Sequence, residues 1–134
     1  DFDAALSRKE AFYPHSECGG IYSPHVRLVR QLDLPGEPLW PPEKVAELPV
    51  VGSLTVAAQD VGRDGVFIKE LLHEKARTAL HMAATHGHDA VILGAFGCGY
   101  FRNPPETVAE TFGELLAGEF RTAFSVVVFA VPDS

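Results

Sequence analysis

The chain has 134 residues, 46% of them hydrophobic and 22% charged, which is the make-up of one soluble globular domain able to bury a core. Its formal net charge of −7 excludes sequence-independent nucleic-acid binding, which needs a basic surface, while leaving backbone amides free to hold a phosphorylated small molecule. No apolar run approaches the roughly 20 residues of a membrane-spanning helix, and Cys18 and Cys98, far apart and in no metal or redox spacing, read as two reduced thiols of a cytoplasmic protein. The sequence opens on Asp1 with no secretory leader in view, so a processed, trimmed or partial chain is expected.

Residues 1–25 read as a mostly irregular lead-in to a single domain. Asp1–Phe12 could form a short helix around Ala4, Ala5, Leu6 and Phe12. Pro14, Gly19-Gly20 and Pro24 then make Tyr13–Pro24 a loop, with Tyr22 read as a packing residue whose glycine-rich setting keeps binding open. Val26–Leu32 alternates apolar and charged residues, as an edge strand does. Asp33–Pro42 carries four prolines and is a loop, with Trp40 expected to anchor it to the core. Pro49–Ala58, rich in β-branched residues, reads as an internal strand.

Gln59–Asp64 is a turn. Over Gly65–His86 the apolar residues Ile68, Leu71, Leu72, Ala76, Ala79, Leu80 and Ala83 recur at the helical period, with Asp64 as N-cap and Gly87 as the C′ residue. Asp89–Phe96 is an almost wholly apolar strand of the kind buried on both faces of a parallel sheet. Asn103-Pro104-Pro105-Glu106 has the pattern of a capping box with Asn103 as the cap. Val108, Phe112, Leu115 and Leu116 line one face of the helix that follows, to Gly118. Ala123–Val131 closes the chain as a central strand. The last three strands alternate with helices, which implies an α/β fold of βαβαβ order. In such sheets ligands bind beyond the carboxyl ends of the strands. Gly94–Asn103, Gln59-Asp60 and Pro132–Ser134 are three such ends, expected to converge.

The stretch Gly94–Pro105 is the chemical focus. Three glycines, Gly94, Gly97 and Gly99, lie between a buried strand and a helix start, where backbone N–H groups and the helix dipole can receive an anion. It is not a dinucleotide fingerprint, because Arg102 stands where the third glycine belongs, and no Gly-Lys-Ser/Thr makes it a P-loop. Phe96 replaces the glycine that a nucleophile elbow around Cys98 would need. His73-Glu74 starts like a zincin motif, but Arg77 occupies the place of the second histidine. His81, His86 and His88 suit a helix C-terminus better than a metal. Glu106 and Glu110 read as a cap and a solvated face. The reading is therefore no metal, no cofactor and an anion cradle.

The run Leu93-Gly94-Ala95-Phe96-Gly97-Cys98-Gly99-Tyr100-Phe101-Arg102-Asn103-Pro104-Pro105-Glu106 resembles the diphosphate-binding loop of microbial-type poly(ADP-ribose) glycohydrolases. The closing run Val127–Ser134 resembles that family too, and Ile21–Val26 and Ala57–Asp60 look like weaker blocks of it. The resemblance implies a macrodomain-like three-layer α/β/α sandwich that binds ADP-ribose. It implies a ligand-binding set of Gly94, Phe96, Gly97, Cys98, Gly99, Tyr100, Phe101 and Asn103. Backbone N–H groups of Gly97 to Phe101 would wrap the diphosphate, Asn103 and its helix would add the dipole, and Phe96 or Phe101 would meet a ribose or adenine face.

Family enzymes cleave the glycosidic bond with a Gly-Gly-Gly segment followed by Gln-Glu-Glu, whose glutamate is the general acid. That motif does not occur here, and Gly19-Gly20-Ile21 is no substitute. In the family it lies upstream of the matched region. The expectation is therefore the carboxyl-terminal part of such a domain, lacking its N-terminal strands, as a fragment or a truncated homologue. These residues alone are expected to be inactive, with no catalytic residue among them. The implied partner is ADP-ribose or an ADP-ribosylated protein, with self-association or an upstream segment covering exposed sheet. Alternatives are a non-catalytic ADP-ribose or nucleotide reader, or a structural domain.

Overall fold

The computed structural model describes residues 16–31, 35–36 and 38–131. The expected helix at Asp1–Phe12 and the strand end at Pro132–Ser134 lie outside them. Among the described residues eight elements follow in order: β1 (Gly20–Val26), α1 (Pro42–Val45), β2 (Val51–Val56), α2 (Val61–Asp64), α3 (Lys69–Thr85), β3 (Ala90–Leu93), α4 (Pro105–Ala117) and β4 (Val126–Phe129). The described residues form two packing units, Tyr22–Leu54 in one and those up to Ile21 with those from Thr55 in the other.

In the smaller unit the strand expected at Val26–Leu32 is displaced. β1 occupies Gly20–Val26, much of which reads as loop in the sequence. The glycines and Pro24 are tolerated because, among the described residues, the strand pairs only with β2, leaving N–H groups that need no sheet partner. Beyond β1, Gln31 N–H donates to Pro38 O at 2.9 Å and Trp40 N–H to Val29 O at 2.8 Å, forming a narrow antiparallel arm. Trp40 is half-buried and stands outside the core. β2, expected as internal, has no fully buried residue.

The larger unit holds the core. α3 contributes Leu72, Ala76 and Leu80, β3 contributes Val91 and Leu93, and α4 contributes Val108, Phe112 and Leu115, with Phe120 beyond it. The α3 and α4 residues are those of the helical stripes legible in the sequence, and each fully buried aliphatic or aromatic side chain adds about 1.5–3 kcal/mol. α3 ends as expected. Gly87 has φ +77°, its N–H donates to Ala84 O, and His88 N–H donates to Ala83 O, a Schellman closure. The ion pair Arg77–Glu119 at 2.7 Å ties α3 to the turn after α4. Lys75, 2% exposed, crosses to Glu17, and Thr78 donates to Cys18 O at 2.9 Å.

The start of α3 differs from the expectation at Gly65. Asp60, not Asp64, is a cap, its carboxylate accepting from Arg63 N–H at 3.0 Å to start the single turn of α2. Gly65 at φ +70° ends that turn. Ile68 is extended because the buried Gln59 carboxamide engages both its backbone groups: Ile68 N–H donates to Gln59 Oε1 at 3.0 Å, and Gln59 Nε2 donates to Ile68 O at 2.8 Å. α3 can begin only after this clasp.

β3 and β4 run parallel in the register Ala90↔Val126 to Leu93↔Phe129, joined through α4. β2 pairs with β1 and not with β3, so the expected βαβαβ order is present along the chain but not as one continuous sheet. β3 is buried on one face rather than two, and β4 is not central: Ile92 is 74% exposed while Val91 and Leu93 are 8% exposed.

Candidate functional site

β3 delivers the chain at Leu93 into the glycine turn, and α4 takes it up at Pro105. Between them Gly97 sits at φ +71°, where a Cβ would lie 2.4 Å from Asn103 Nδ2 and 2.6 Å from Ala58 Cβ. Only glycine fits both the conformation and the space. The turn is closed by Cys98 N–H to Ala95 O, Arg102 N–H to Gly99 O and Asn103 N–H to Gly97 O, each at 3.0 Å. Among the described residues, the N–H groups of Gly97, Gly99, Tyr100 and Phe101 have no acceptor. Four donors, three of them successive, are thus left at the mouth of the turn, close to the N-terminus of a helix of 13 residues.

Asn103 does not cap α4. Pro104 holds that position, without a side-chain cap bond, so the capping box with Glu106 does not form. The Asn103 side chain is instead 1% exposed and turned inward, its Nδ2 donating to Gln59 O at 2.8 Å and Gly97 O at 3.0 Å. Two inward carbonyls outcompete a helix end that prolines have already stripped of donors. Asn103 fastens the turn to the segment after β2, while its Oδ1 has no partner among the described residues.

Phe96 faces the core, its ring edge-on to Phe112 at 6.2 Å. Phe101 lies half-buried beside Tyr100, which is 89% exposed, with ring centroids 6.0 Å apart. Cys98 is half-buried, with its sulfur 3.7 Å from Phe96 O. Burial, and then the charge of Glu106, push its thiol above the ordinary value, which disfavours the nucleophilic thiolate. Both cysteines are free thiols. Among the described residues no group of three or more His, Cys, Asp or Glu is arranged to hold a metal. No helix among them is long and apolar enough to cross a membrane.

The convergence of Gln59-Asp60 on the glycine turn is realised. α2 docks on it through Gly62 N–H to Phe101 O at 3.2 Å. A cleft of about 450 Å³ opens between them, lined by Asp60, Gly62, Arg63, Gly99, Tyr100 and Arg102. Asp60, Gly62, Arg63 and Arg102 are absent from the residues the sequence singles out for binding. The position of Asp60 at a strand end hints at its part, while Arg102 falls within the run resembling a diphosphate loop but is given no binding role there.

A strand, a donor-rich turn and a helix start in a mixed α/β chain define the class as an α/β domain. Comparison with known proteins narrows this. No protein-family model and no curated protein sequence matches the chain. Among solved structures it matches poly(ADP-ribose) glycohydrolase from Deinococcus radiodurans in complex with ADP-ribose, with 35% identity and a TM-score of 0.75 over 97% of this chain and 52% of that one. The apo form of the same enzyme matches with 36% identity and a TM-score of 0.74, over the same shares. The enzyme from Thermomonospora curvata matches with 34% identity and a TM-score of 0.72, over 94% of this chain and 45% of that one. The chain is therefore related in sequence and fold to the microbial poly(ADP-ribose) glycohydrolases, whose macrodomain-like α/β fold it shares, and it spans about half their length.

Proposed function

We propose that these residues form the ADP-ribose-binding part of a glycohydrolase acting on ADP-ribose linkages, with the diphosphate held by the turn from Gly97 to Phe101. The observation that carries this reading is the row of unpartnered N–H groups on Gly97, Gly99, Tyr100 and Phe101, in a chain whose structural relative from Deinococcus radiodurans is in complex with ADP-ribose. Phosphate oxygens accept from such donors without needing net positive charge on the protein. Gly94, Phe96 and Cys98 shape the turn, Asn103 pins it, and Phe101 offers the ring for a sugar or base. In the complete protein a carboxylic acid outside these residues protonates the departing ribose oxygen through an oxocarbenium-like state. The chain alone binds and does not cut.

The same reading assigns a cover to the sheet. Ala90, Ile92, Val126 and Val128 present an exposed apolar face, and the relatives carry about as much chain again as the part matched here. That remaining half of the fold is the proposed occupant of the face, because parallel strands are normally buried on both sides.

Calorimetric titration with ADP-ribose tests the ligand. A Cβ on Gly99 would meet nothing within 4 Å, so Gly99→Leu leaves the fold intact and obstructs only an approaching ligand. The expected result is binding by the parent chain and its loss in Gly99→Leu with an unchanged melting temperature. No heat from the parent chain at saturating ligand would sink the assignment. Hydrolysis by these residues alone would overturn the division of labour.

A further inference from the structure

We infer that the cleft between α2 and the turn Gly99–Arg102 is a charged phosphate subsite, in which the Arg102 guanidinium contacts an anionic oxygen of a diphosphate-bearing ligand. This rests on the assignment of the turn to a diphosphate and adds to it a side-chain contact that backbone geometry does not require. Arg102 stands at φ +58°, one of two non-glycine residues with positive φ among those described. That conformation suits glycine and is costly for an arginine, and such strain persists only where surrounding contacts over-determine it. Arg102 N–H is held by Gly99 O, and Asn103 immediately after it is locked into the interior, so the backbone is fixed and the side chain is directed out into the cleft wall.

The side chain is folded over α2: its Cδ lies 3.6 Å from where a Cβ on Gly62 would stand. The other charges at the cleft are already committed. Arg63 is held by Asp64 through two hydrogen bonds, at 2.8 and 3.3 Å, and Asp60 accepts from the Arg63 N–H. The Arg102 guanidinium makes no ion pair or hydrogen bond among the described residues. An uncommitted cation, two unpartnered N–H groups on Gly99 and Tyr100, and an open volume of about 450 Å³ meet on one wall. The planar fork of arginine matches phosphate oxygens where a lysine acts as a point charge. In a chain of net charge −7, this local cation is what makes the cleft attractive to an anion.

The test separates strain from charge in the full chain. Arg102→Gly relieves the positive φ and removes the guanidinium, Arg102→Ala removes the guanidinium and keeps the strain, and Arg102→Lys keeps a charge. Each is titrated with ADP-ribose and with inorganic pyrophosphate, and each is melted. Arg102→Gly should melt no lower than the parent and bind both probes roughly tenfold more weakly, the loss of one charge-assisted contact. Arg102→Ala should lose affinity equally, Arg102→Lys should retain part of it, and added salt should narrow the gap between parent and variants. Parent-like affinity of Arg102→Gly for both probes would overturn the subsite while leaving the ADP-ribose reading standing. Arg102-dependent pyrophosphate binding, with ADP-ribose bound no tighter than pyrophosphate, would support the subsite and end the ADP-ribose reading. A parent chain that binds neither probe ends both.

Discussion

The two faces of the β3–β4 sheet are built from the same short strands and the same kinds of residue, yet they meet opposite surroundings. On one, Val91, Leu93 and Val127 lie against α3 and α4, and Phe129 meets Phe112 ring to ring at 6.2 Å. On the other, Ile92, Val126 and Val128 are 74%, 51% and 46% exposed. Alternation along a strand fixes only which residues share a face; whether that face is wet depends on what the chain can lay over it. The unpartnered face is therefore a property of these residues in isolation, and the proposed remaining half of the fold would change it.

Four changes probe that contrast, from the largest effect to the smallest. Phe112→Ala removes a side chain 2% exposed that holds Phe96 on one side and Phe129 on the other, and should cost about 3–5 kcal/mol in denaturant unfolding. A loss under about 1 kcal/mol would show that the packed face is no core. Gly97→Ala places a Cβ at φ +71° against Asn103 and Ala58, and should cost at least about 2 kcal/mol while disordering the turn above the packed face. An unchanged unfolding midpoint would contradict the geometry.

Ile92→Ser on the bare face should change stability by less than about 0.5 kcal/mol in the chain alone and lower its binding of a hydrophobic dye. With the other half of a glycohydrolase domain supplied, the same substitution should become strongly destabilising to the complex; equal effects in both settings would remove the distinction between the faces. The weakest effect concerns the exposed pair at the rim of the packed side. The hydrogen bonds from Arg77 hold the Glu119 carboxyl below its usual range, helped by Arg77's charge. A depressed carboxyl pKa stabilises the fold above the unfolded value, and that contribution is lost as pH falls through the folded one. Glu119→Gln should therefore lower the melting temperature slightly at neutral pH and converge with the parent in acid. A gap that persists in acid would rule out the ion pair as its cause.

The parts legible in the sequence are those governed by local period. The stripe from Leu72 to Ala83, the stripe from Val108 to Leu115 and the Gly87 terminus are where the spacing puts them. The glycine turn was legible as a turn, through its position between a strand and a helix. What escaped the sequence depends on partners distant along the chain. β1 forms through Gly20 and Pro24 because β2 lies beside it, which no local propensity records. α3 starts at Lys69 because a carboxamide nine residues before Ile68 clasps that residue's peptide. Asn103 carries the signature of a cap and performs another task, since the carbonyl of Gln59 is 44 residues away. Arg102 enters the sequence only as the residue in place of a third glycine and as a member of the loop-like run, and its positive φ appears in the fold alone.

The inward amide of Asn103 has a mechanical consequence. It grips Gly97 O with one hand and Gln59 O with the other, and the Gln59 side chain in turn holds the peptide of Ile68, directly ahead of α3. The glycine turn and α3 are thereby coupled in series through short links that are buried or partly buried. A ligand that tightened on the turn would pull on the first turn of α3 through this tether, and heat or denaturant that frayed α3 would slacken the grip from the other end.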